Sequence, residues 1–302
     1  MVWSLYKVRL IGISSLFIML FGVWLPQIVS PDRLVGFVFG ADVVSGSDYL
    51  SIHFLDVGQG DATYIETTDG VQILVDGSGD RRVLDRLSEH MAPLDRQLDM
   101  IVATHAHSDH IGGLIDVLER FRVDHILITE NQIDTETSRR FFALVDDLSD
   151  TANVWYARGG QKFALGASTT LSVLSPMYDA TDMNADASSI TLKLEHKDTA
   201  VLLTGDAPKS IERYLVEEYG SGLESDILKL GHHGSRTSTA GSFLDTVNPH
   251  YAIVSAGIDS RHGHPHEEVV GRVKERGIEI MTTQTSGTIS FDSDGTQFML
   301  IE

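Results

Sequence analysis

The chain has 302 residues, 42% of them hydrophobic, and its 23 basic and 43 acidic side chains give a formal net charge of −20. It contains no cysteine, which excludes disulfide bonds and thiolate metal ligands, so a metal ion would need nitrogen and oxygen ligands. The acidic balance gives no electrostatic footprint for tight nucleic-acid binding, but bound metal ions reverse the charge locally and leave a nuclease open.

The first 41 residues form a basic and then apolar segment. Lys7 and Arg9 precede a charge-free run that ends at Asp32, and three basic residues against one acidic residue give the segment a charge of +2. Such a run is typical of a secretory signal or an uncleaved anchor, with a buried helix as the alternative. We therefore predict a signal-like or membrane-anchor segment and linker over residues 1–41. Residues 42–302 would then form a domain outside the cytoplasm, either membrane-tethered or secreted.

Hydrophobic patterns predict alternating strands and helices in two halves of the remaining chain. In the first half we predict strands at residues 50–55, 61–67, 71–76, 100–103 and 125–129, and helices at 81–87, 110–121 and 135–148. Two or three short strands then run to residue 175. In the second half we predict a hairpin of 190–194 and 200–204, strands at 226–230 and 251–255, helices at 211–219 and 267–276, a helix ending at 247, and a final hairpin. This order indicates an α/β layered sandwich.

The most specific motif lies between the predicted strand 100–103 and the following helix. There His105, His107, Asp109 and His110 are spaced as HxHxDH. Imidazole nitrogens and carboxylate oxygens are ligands for zinc, manganese or iron. His105 and His107 point the same way if the segment is extended, while Asp109 and His110 would reach a second ion from the start of the helix. The motif therefore predicts a metal site.

Together with several later segments, this motif resembles the metallo-β-lactamase superfamily, and within it the ComEC-like branch, the C-terminal hydrolase domain of DNA-uptake proteins. The matching segments are residues 54–61 (FLDVGQGD), 74–77 (LVDG), 104–114 (THAHSDHIGGL), 203–206 (LTGD), 230–235 (LGHHGS) and 263–265 (GHP). The resemblance implies a four-layer αββα sandwich with its site at one edge of the sheets.

The resemblance also implies two divalent metal ions, zinc or manganese. His105 and His107 would bind the first ion, Asp109 and His110 the second, and Asp206 would bridge both. The closing ligand of the second ion would be His233 or His232, with His264 as a competitor. Neighbouring residues on an extended segment point in opposite directions, which favours His233 alone.

The remaining two histidines become candidates for chemistry at the substrate. His232 and His264 would contact a phosphate or protonate the leaving group, so the predicted catalytic residues are Asp109, His232 and His264.

One departure from the family pattern concerns the first ion, which typically has a third histidine. In the interval before Asp206 the chain offers only His125 and His196, and we expect His196 to point away because it lies at the opposite end of a short strand. Asn184, Ser188 and Ser189 lie nearer the expected position. An oxygen-richer site favours manganese over zinc.

Three further aspartates accompany these motifs. Asp56 and Asp61 either cap turns or, for Asp61, support a ligand imidazole, and the sequence leaves this choice open. Asp76 follows an apolar strand, and we expect it to support a ligand rather than to bind metal.

The function predicted from this pattern is metal-dependent hydrolysis through a hydroxide that two metal ions activate. The substrate would be a phosphodiester, with DNA among the candidates, and the membrane would be contacted through the N-terminal segment; no obligate protein partner is predicted. The alternatives are a small-ester hydrolase, acting on a lactone, thioester, β-lactam or choline-phosphate ester, and a non-catalytic binding module of the same fold.

Overall fold

A computed structural model of the chain describes residues 34–38, 47–258, 260 and 262–301. Nearly all of the predicted signal or anchor segment, up to residue 33, lies outside these residues. Within the described part of the chain, no helix combines the length and the apolar character that crossing a bilayer requires.

The strands of the described chain alternate with helices, as the hydrophobic pattern predicts. The strands are β1 (Leu34–Val38), β2 (Leu50–Phe54), β3 (Thr63–Glu66), β4 (Gln72–Val75), β5 (Gln97–Val102), β6 (Arg122–Ile128), β7 (Asn153–Tyr156), β8 (Lys162–Ala164), β9 (Thr169–Ser175), β10 (Thr191–His196), β11 (Thr199–Leu203), β12 (Ile227–Lys229), β13 (Tyr251–Val254), β14 (Glu279–Thr282), β15 (Ile289–Ser293) and β16 (Phe298–Ile301). The α-helices are α1 (Arg82–His90), α2 (Ser108–Leu118), α3 (Glu136–Asp147), α4 (Lys209–Tyr219), α5 (Gly241–Val247), α6 (Glu267–Lys274) and α7 (Thr283–Ser286).

These strands form two mixed sheets. One sheet has the order β1-β8-β9-β10-β11-β12-β13-β14, and the other has the order β16-β15-β2-β3-β4-β5-β6-β7. Strands β4 to β7 are parallel in the second sheet, and β11 to β14 are parallel in the first. Parallel strands are joined by crossover helices, which cover the sheet faces that would otherwise be exposed.

Three apolar clusters separate the layers. The largest lies between the sheets and includes Phe54, Phe163 and Phe291. A second cluster joins the β2–β7 sheet to α1, α2 and α3, and a third joins the other sheet to α4, α5 and α6. Each fully buried Leu, Ile or Phe side chain contributes about 1.5–3 kcal/mol relative to exposure. The layer order is therefore αββα, which confirms the predicted sandwich.

The element boundaries differ from the predicted ones mainly at the ends. Helix α3 begins at Glu136 because the Thr135 side chain accepts a hydrogen bond from the Ser138 N–H and caps the helix. Strand β14 was not predicted, because this short edge strand is partly exposed along its length and so shows no hydrophobic alternation.

The architecture brings five loops together at one end of the two sheets. They follow β4, β5, β11, β12 and β13, all of which run parallel to a neighbour within their sheet. Loops after the carboxyl ends of parallel strands meet in a common crevice, which is the usual place for a ligand in such folds. A backbone hydrogen bond from the Ile190 N–H to the Thr104 carbonyl connects the two sheets at this end.

Candidate metal centre

The HxHxDH segment turns from β5 directly into α2. His107 occupies the N-cap position of the helix, and Asp109 and His110 lie in its first turn. His105 Nε2 and His107 Nδ1 are 3.0 Å apart, so the two side chains converge as the spacing predicts. Asp109 and His110 project from the same helix end into the crevice, where the partial positive charge of the helix favours anions.

Asp206 lies between the two groups of predicted ligands. Its Oδ2 is 3.7 Å from His105 Nε2, and its Oδ1 is 3.4 Å from His110 Nε2. Gly205 has a φ of +52°, which lets the chain turn sharply after β11 and direct the Asp206 side chain inward. The carboxylate therefore contacts both groups, as a bridging ligand would.

His233 belongs to the second group. Its Nε2 is 3.3 Å from Asp109 Oδ2 and 3.8 Å from Asp206 Oδ2. His232 lies on the other side, with Nε2 at 3.7 Å from Asp206 Oδ2.

The backbone of the GHHG segment is not extended, and this part of the sequence analysis was wrong. His232 and His233 have φ values of +52° and +54°, in the left-handed region, so both rings face the centre instead of pointing in opposite directions. The sequence analysis expected only one of these two histidines to face the metal site. Because the turn directs both rings to the centre, that expectation no longer holds.

The buried imidazoles are fixed by hydrogen bonds on the side away from the centre. His110 Nδ1 donates to Asp76 Oδ2 at 2.8 Å, and His233 Nδ1 donates to the Ser255 carbonyl at 2.9 Å. Asp76 also accepts hydrogen bonds from the N–H and the hydroxyl of Thr104. Asp76 therefore has the supporting place expected from the sequence. Such partners fix the tautomer and direct the Nε2 lone pair inward.

Asp61 and Asp56 have different surroundings, which resolves the choice that the sequence left open. Asp61 is buried, forms an ion pair with Lys229, and has Oδ1 at 3.2 Å from His233 Nδ1. Burial would raise the pKa of Asp61, but Lys229 and His233 lower it to about 2. Asp56 accepts a hydrogen bond from the Gly58 N–H within a turn.

The donor atoms fit a divalent cation. The Nε2 atoms of His110 and His233 and the Oδ1 atom of Asp206 are buried and have no hydrogen-bond partner in the described part of the chain. Two donors bound at about 2.0–2.2 Å to a tetrahedral ion lie roughly 3.3–3.6 Å apart. The 3.0 Å between His105 and His107 and the 3.4 Å between His110 and Asp206 lie close to that range.

The electrostatics also favour a cation. Burial would lower the pKa of His233, but Asp206 and Asp61 raise it to about 10, and burial would lower the pKa of His110, but Asp206 and Asp76 raise it well above its ordinary value. Burial would raise the pKa of Asp206, yet His110 and His233 hold it well below the usual range. In the protein alone, protons on the histidines thus supply the positive charge that the carboxylates require.

Sequence analysis missed two residues of this centre. Asp186 Oδ1 lies 3.2 Å from His107 Nδ1, and its carboxylate joins His105, His107 and Asp206 as a fourth donor within 4.8 Å of the others. The sequence did offer an indication, because Asp186 is the only carboxylate between Asn184 and Ser189, where a ligand of the first ion was expected. Lys229 was also missed, although a lysine inside an apolar strand is unusual unless it is paired.

Two other histidines lie outside the two groups of donors: His196 points away from the centre, and His264 lies at its margin. His196 Nδ1 is 2.8 Å from the Thr169 hydroxyl at the far end of β10, so it points away. His264 is largely buried, with its ring centroid 5.6 Å from that of His232, and its Nδ1 atom has no hydrogen-bond partner among the residues described. Burial, together with the neighbouring histidines, lowers the pKa of His264 to about 4.

Comparisons with known proteins agree with this fold and centre. The chain is 26% identical to ComE operon protein 3 of Bacillus subtilis over 258 residues, which cover 80% of this chain and 32% of that protein. It is 28% identical to competence protein ComA of Neisseria gonorrhoeae, covering 85% of this chain and 34% of that one. The chain thus spans about a third of the length of these curated relatives.

A solved structure shows the same fold. Igni18, a metallo hydrolase from the archaeon Ignicoccus hospitalis, has a TM-score of 0.50 at 16% identity, covering 80% of this chain and 98% of that one. The family model described as the metallo-beta-lactamase superfamily matches residues 55–258. The chain therefore belongs to the metallo-beta-lactamase superfamily.

Proposed function

We propose that this chain is a phosphodiesterase that cleaves DNA outside the cytoplasm with two divalent metal ions. The observation that carries the proposal is the position of Asp206, whose carboxylate lies within 3.8 Å of donors from both groups, His105 on one side and His110 and His233 on the other. A carboxylate shared in this way is typical of two-metal sites that act on phosphoryl centres. The similarity to competence proteins supports DNA as the substrate.

Each group of donors would hold one ion. His105 and His107 would bind the first, and the second would be bound by Asp109, His110 and His233. Divalent cations at such a centre activate water and neutralise the charge that develops on phosphate oxygens. The protein contributes orientation, since hydrogen bonds from His110 to Asp76 and from His233 to Ser255 fix the two rings before substrate binds.

His232 and His264 lie where they would act on the substrate. His232 Nδ1 is 3.2 Å from the Thr237 hydroxyl, while its Nε2 faces the centre, so the ring can pass a proton to a leaving oxygen. His264 is uncharged at neutral pH because of its lowered pKa, and it can donate one hydrogen bond to a phosphate oxygen. The adjacent N-terminus of α2 favours that anion.

The location follows from the sequence of the N-terminal segment. Residues 1–41 would export the chain or anchor it in the membrane, and the domain from residue 42 onward would then meet DNA outside the cytoplasm.

The test is hydrolysis of end-labelled single- and double-stranded DNA by the full-length protein loaded with manganese or zinc. We expect cleavage that depends on the metal and falls by roughly a thousandfold or more in His107→Ala, because one ion loses a ligand. His250→Ala is the matched control, since His250 is exposed and precedes β13, at the opposite end of that strand from the centre. His264→Ala should raise KM by about tenfold, the value of one hydrogen bond to a charged group.

The net charge of −20 favours a second candidate, a hydrolase of small esters with neutral or compact groups. The same assay therefore includes a small chromogenic phosphodiester and a lactone. Hydrolysis of either without DNA cleavage, by folded and metal-loaded protein, would replace the nuclease by this second candidate. Absence of turnover on every substrate would favour a binding module.

A further inference from the structure

The first group of donors has only two histidines where the family pattern expects three. The two other histidines between α2 and Asp206 are bonded elsewhere. His125 Nδ1 accepts a hydrogen bond from the Trp155 indole N–H, and His196 pairs with Thr169 at the far end of β10. The missing donor must therefore come from another residue type.

The loop before β10 brings one carboxylate to that position. Asp186 begins a short 3₁₀ turn, Asp186–Ser188, which packs beside the N-cap of α2. Its Oδ1 is 3.2 Å from His107 Nδ1, close to the separation of about 3.3–3.6 Å for two donors on one tetrahedral ion. His105, His107, Asp186 and Asp206 each offer one donor atom within 4.8 Å of the other three.

The three polar side chains that were expected near the first ion already form hydrogen bonds. The Asn184 Oδ1 atom accepts a hydrogen bond from the Asp186 N–H, which fixes the start of the turn. The Ser188 hydroxyl donates to the Ala185 carbonyl, and the Ser189 hydroxyl accepts from the Asp206 N–H. Each of these three residues is thus held by a hydrogen bond to the loop or to Asp206, whereas the Asp186 carboxylate faces His107.

His232, which the sequence offered only to the second ion, also borders the first group of donors. Its Nδ1 lies 3.7 Å from Asp186 Oδ2 and 3.2 Å from the Thr237 hydroxyl, so these groups orient the ring. With Oδ1 directed at His107 and Oδ2 at His232, Asp186 can bind the ion through one oxygen and position His232 through the other.

We propose that Asp186 is the ligand that replaces the third histidine of the first ion. This inference rests on the two-ion centre of the proposed function. Both ions would then have two nitrogen and two oxygen donors: His105, His107, Asp186 and Asp206 for the first, and Asp109, His110, Asp206 and His233 for the second. The additional carboxylate makes the first site harder, which favours manganese over zinc relative to a three-histidine site.

The test is metal content and electron paramagnetic resonance of the full-length protein after equilibration with manganese and removal of free ions. We expect about two manganese ions per wild-type chain and a spectrum that shows coupling between neighbouring ions. Asp186→Ala should retain about one ion and show the spectrum of an isolated ion. Asp182→Ala is the matched control, because Asp182 is an exposed aspartate on the same loop.

A second variant keeps the test independent of folding defects and of DNA cleavage. Asp186→His restores three histidines, and we expect it to bind two ions and to shift the competition between zinc and manganese toward zinc by at least about tenfold. Two coupled ions in Asp186→Ala, or a single ion in the wild type, would overturn the inference. Loss of one ion in Asp186→Ala, in a protein that does not cleave DNA, would support the inference while refuting the proposed function.

Discussion

The candidate centre has two halves, the donors around the first ion and the donors around the second, and the protein holds them differently. In the second half, His110 and His233 are almost fully buried, and both rings donate to buried acceptors behind them. In the first half, the side chains of His107 and Asp186 are 39% and 25% exposed, and His232 at the margin is 26% exposed. His105 of the first half is buried and Asp109 of the second half is 34% exposed, so the contrast lies between His107 and Asp186, which open to solvent, and the two imidazoles that the core fixes.

Because of this difference in burial, similar donor side chains would have different roles in the two halves. A buried ligand with a fixed tautomer loses little conformational entropy when an ion binds, so the second half is preorganised. The open half gives the substrate access and leaves room for a leaving group. The stability of the protein should therefore depend on the residues behind the second half, and turnover should depend more on those of the first.

The largest expected effect concerns Lys229, which is buried between Asp61 and the Gly205 carbonyl. Lys229→Met removes the lysine that pairs with the buried Asp61 carboxylate and leaves only the His233 ring beside it, and we expect the free energy of unfolding to fall by about 3–5 kcal/mol. Urea unfolding of metal-free protein measures this loss. On the open half, His107→Ala should change the same quantity by less than about 1 kcal/mol.

Two controls show whether the loss comes from the unpaired charge. Lys274→Met, at an exposed lysine of α6, should leave stability nearly unchanged. Adding Asp61→Asn to Lys229→Met should recover part of the loss, because no charge is then buried alone. An equal loss in the single and double variants would show that packing, rather than the ion pair, accounts for the effect.

A smaller effect is expected at Asp76, which accepts the His110 Nδ1–H. Asp76→Asn can present an amide N–H instead, which favours the His110 tautomer that carries its proton on Nε2 and cannot bind metal there. We expect the affinity for one of the two ions to fall by about 10–100-fold. Titration against a chromophoric chelator measures this change, and Asp56→Asn, in a turn, should leave both affinities within about twofold.

The sequence predicted the placement of those candidate ligands whose positions depend on local structure. His105, His107, Asp109 and His110 follow one strand and enter one helix, so their spacing alone determines where they point. The order of strands and helices in two halves likewise predicted a layered sandwich, because the helices that connect parallel strands cover the outer faces of the sheets.

Residues whose conformation depends on distant contacts could not be predicted in this way. His232 and His233 adopt left-handed conformations because His233 bonds to Ser255 of the next loop and Gly234 packs against Pro265. An extended conformation is the local preference, and the tertiary contacts override it. Asp186 was missed for a related reason, since a turn before β10 brings it to His107 across 79 positions of sequence.

The smallest expected difference between the two halves is in the number of protons released when an ion binds, and it amounts to about one proton. Burial would lower the pKa of His110 and His233, but neighbouring carboxylates raise both, to about 10 for His233, so each ring is protonated at pH 7 in metal-free protein. Burial lowers the pKa of His105 well below its usual value, whereas Asp186 raises that of His107. An ion that enters the second half must therefore displace protons from both rings, whereas one that enters the first half displaces at most one, that of His107.

The affinity of the second half should accordingly rise more steeply with pH, by about tenfold more per pH unit for the additional proton, until the pH approaches the pKa of His233. Calorimetric titration at pH 7 in two buffers of different ionisation enthalpy counts the protons released. If Asp186→Ala keeps only the second ion, titration of this variant measures the proton release of the second half alone. Equal proton release in the two halves would contradict this difference. It would mean that carboxylates raise the pKa values of the histidines in the open half as much as in the buried half.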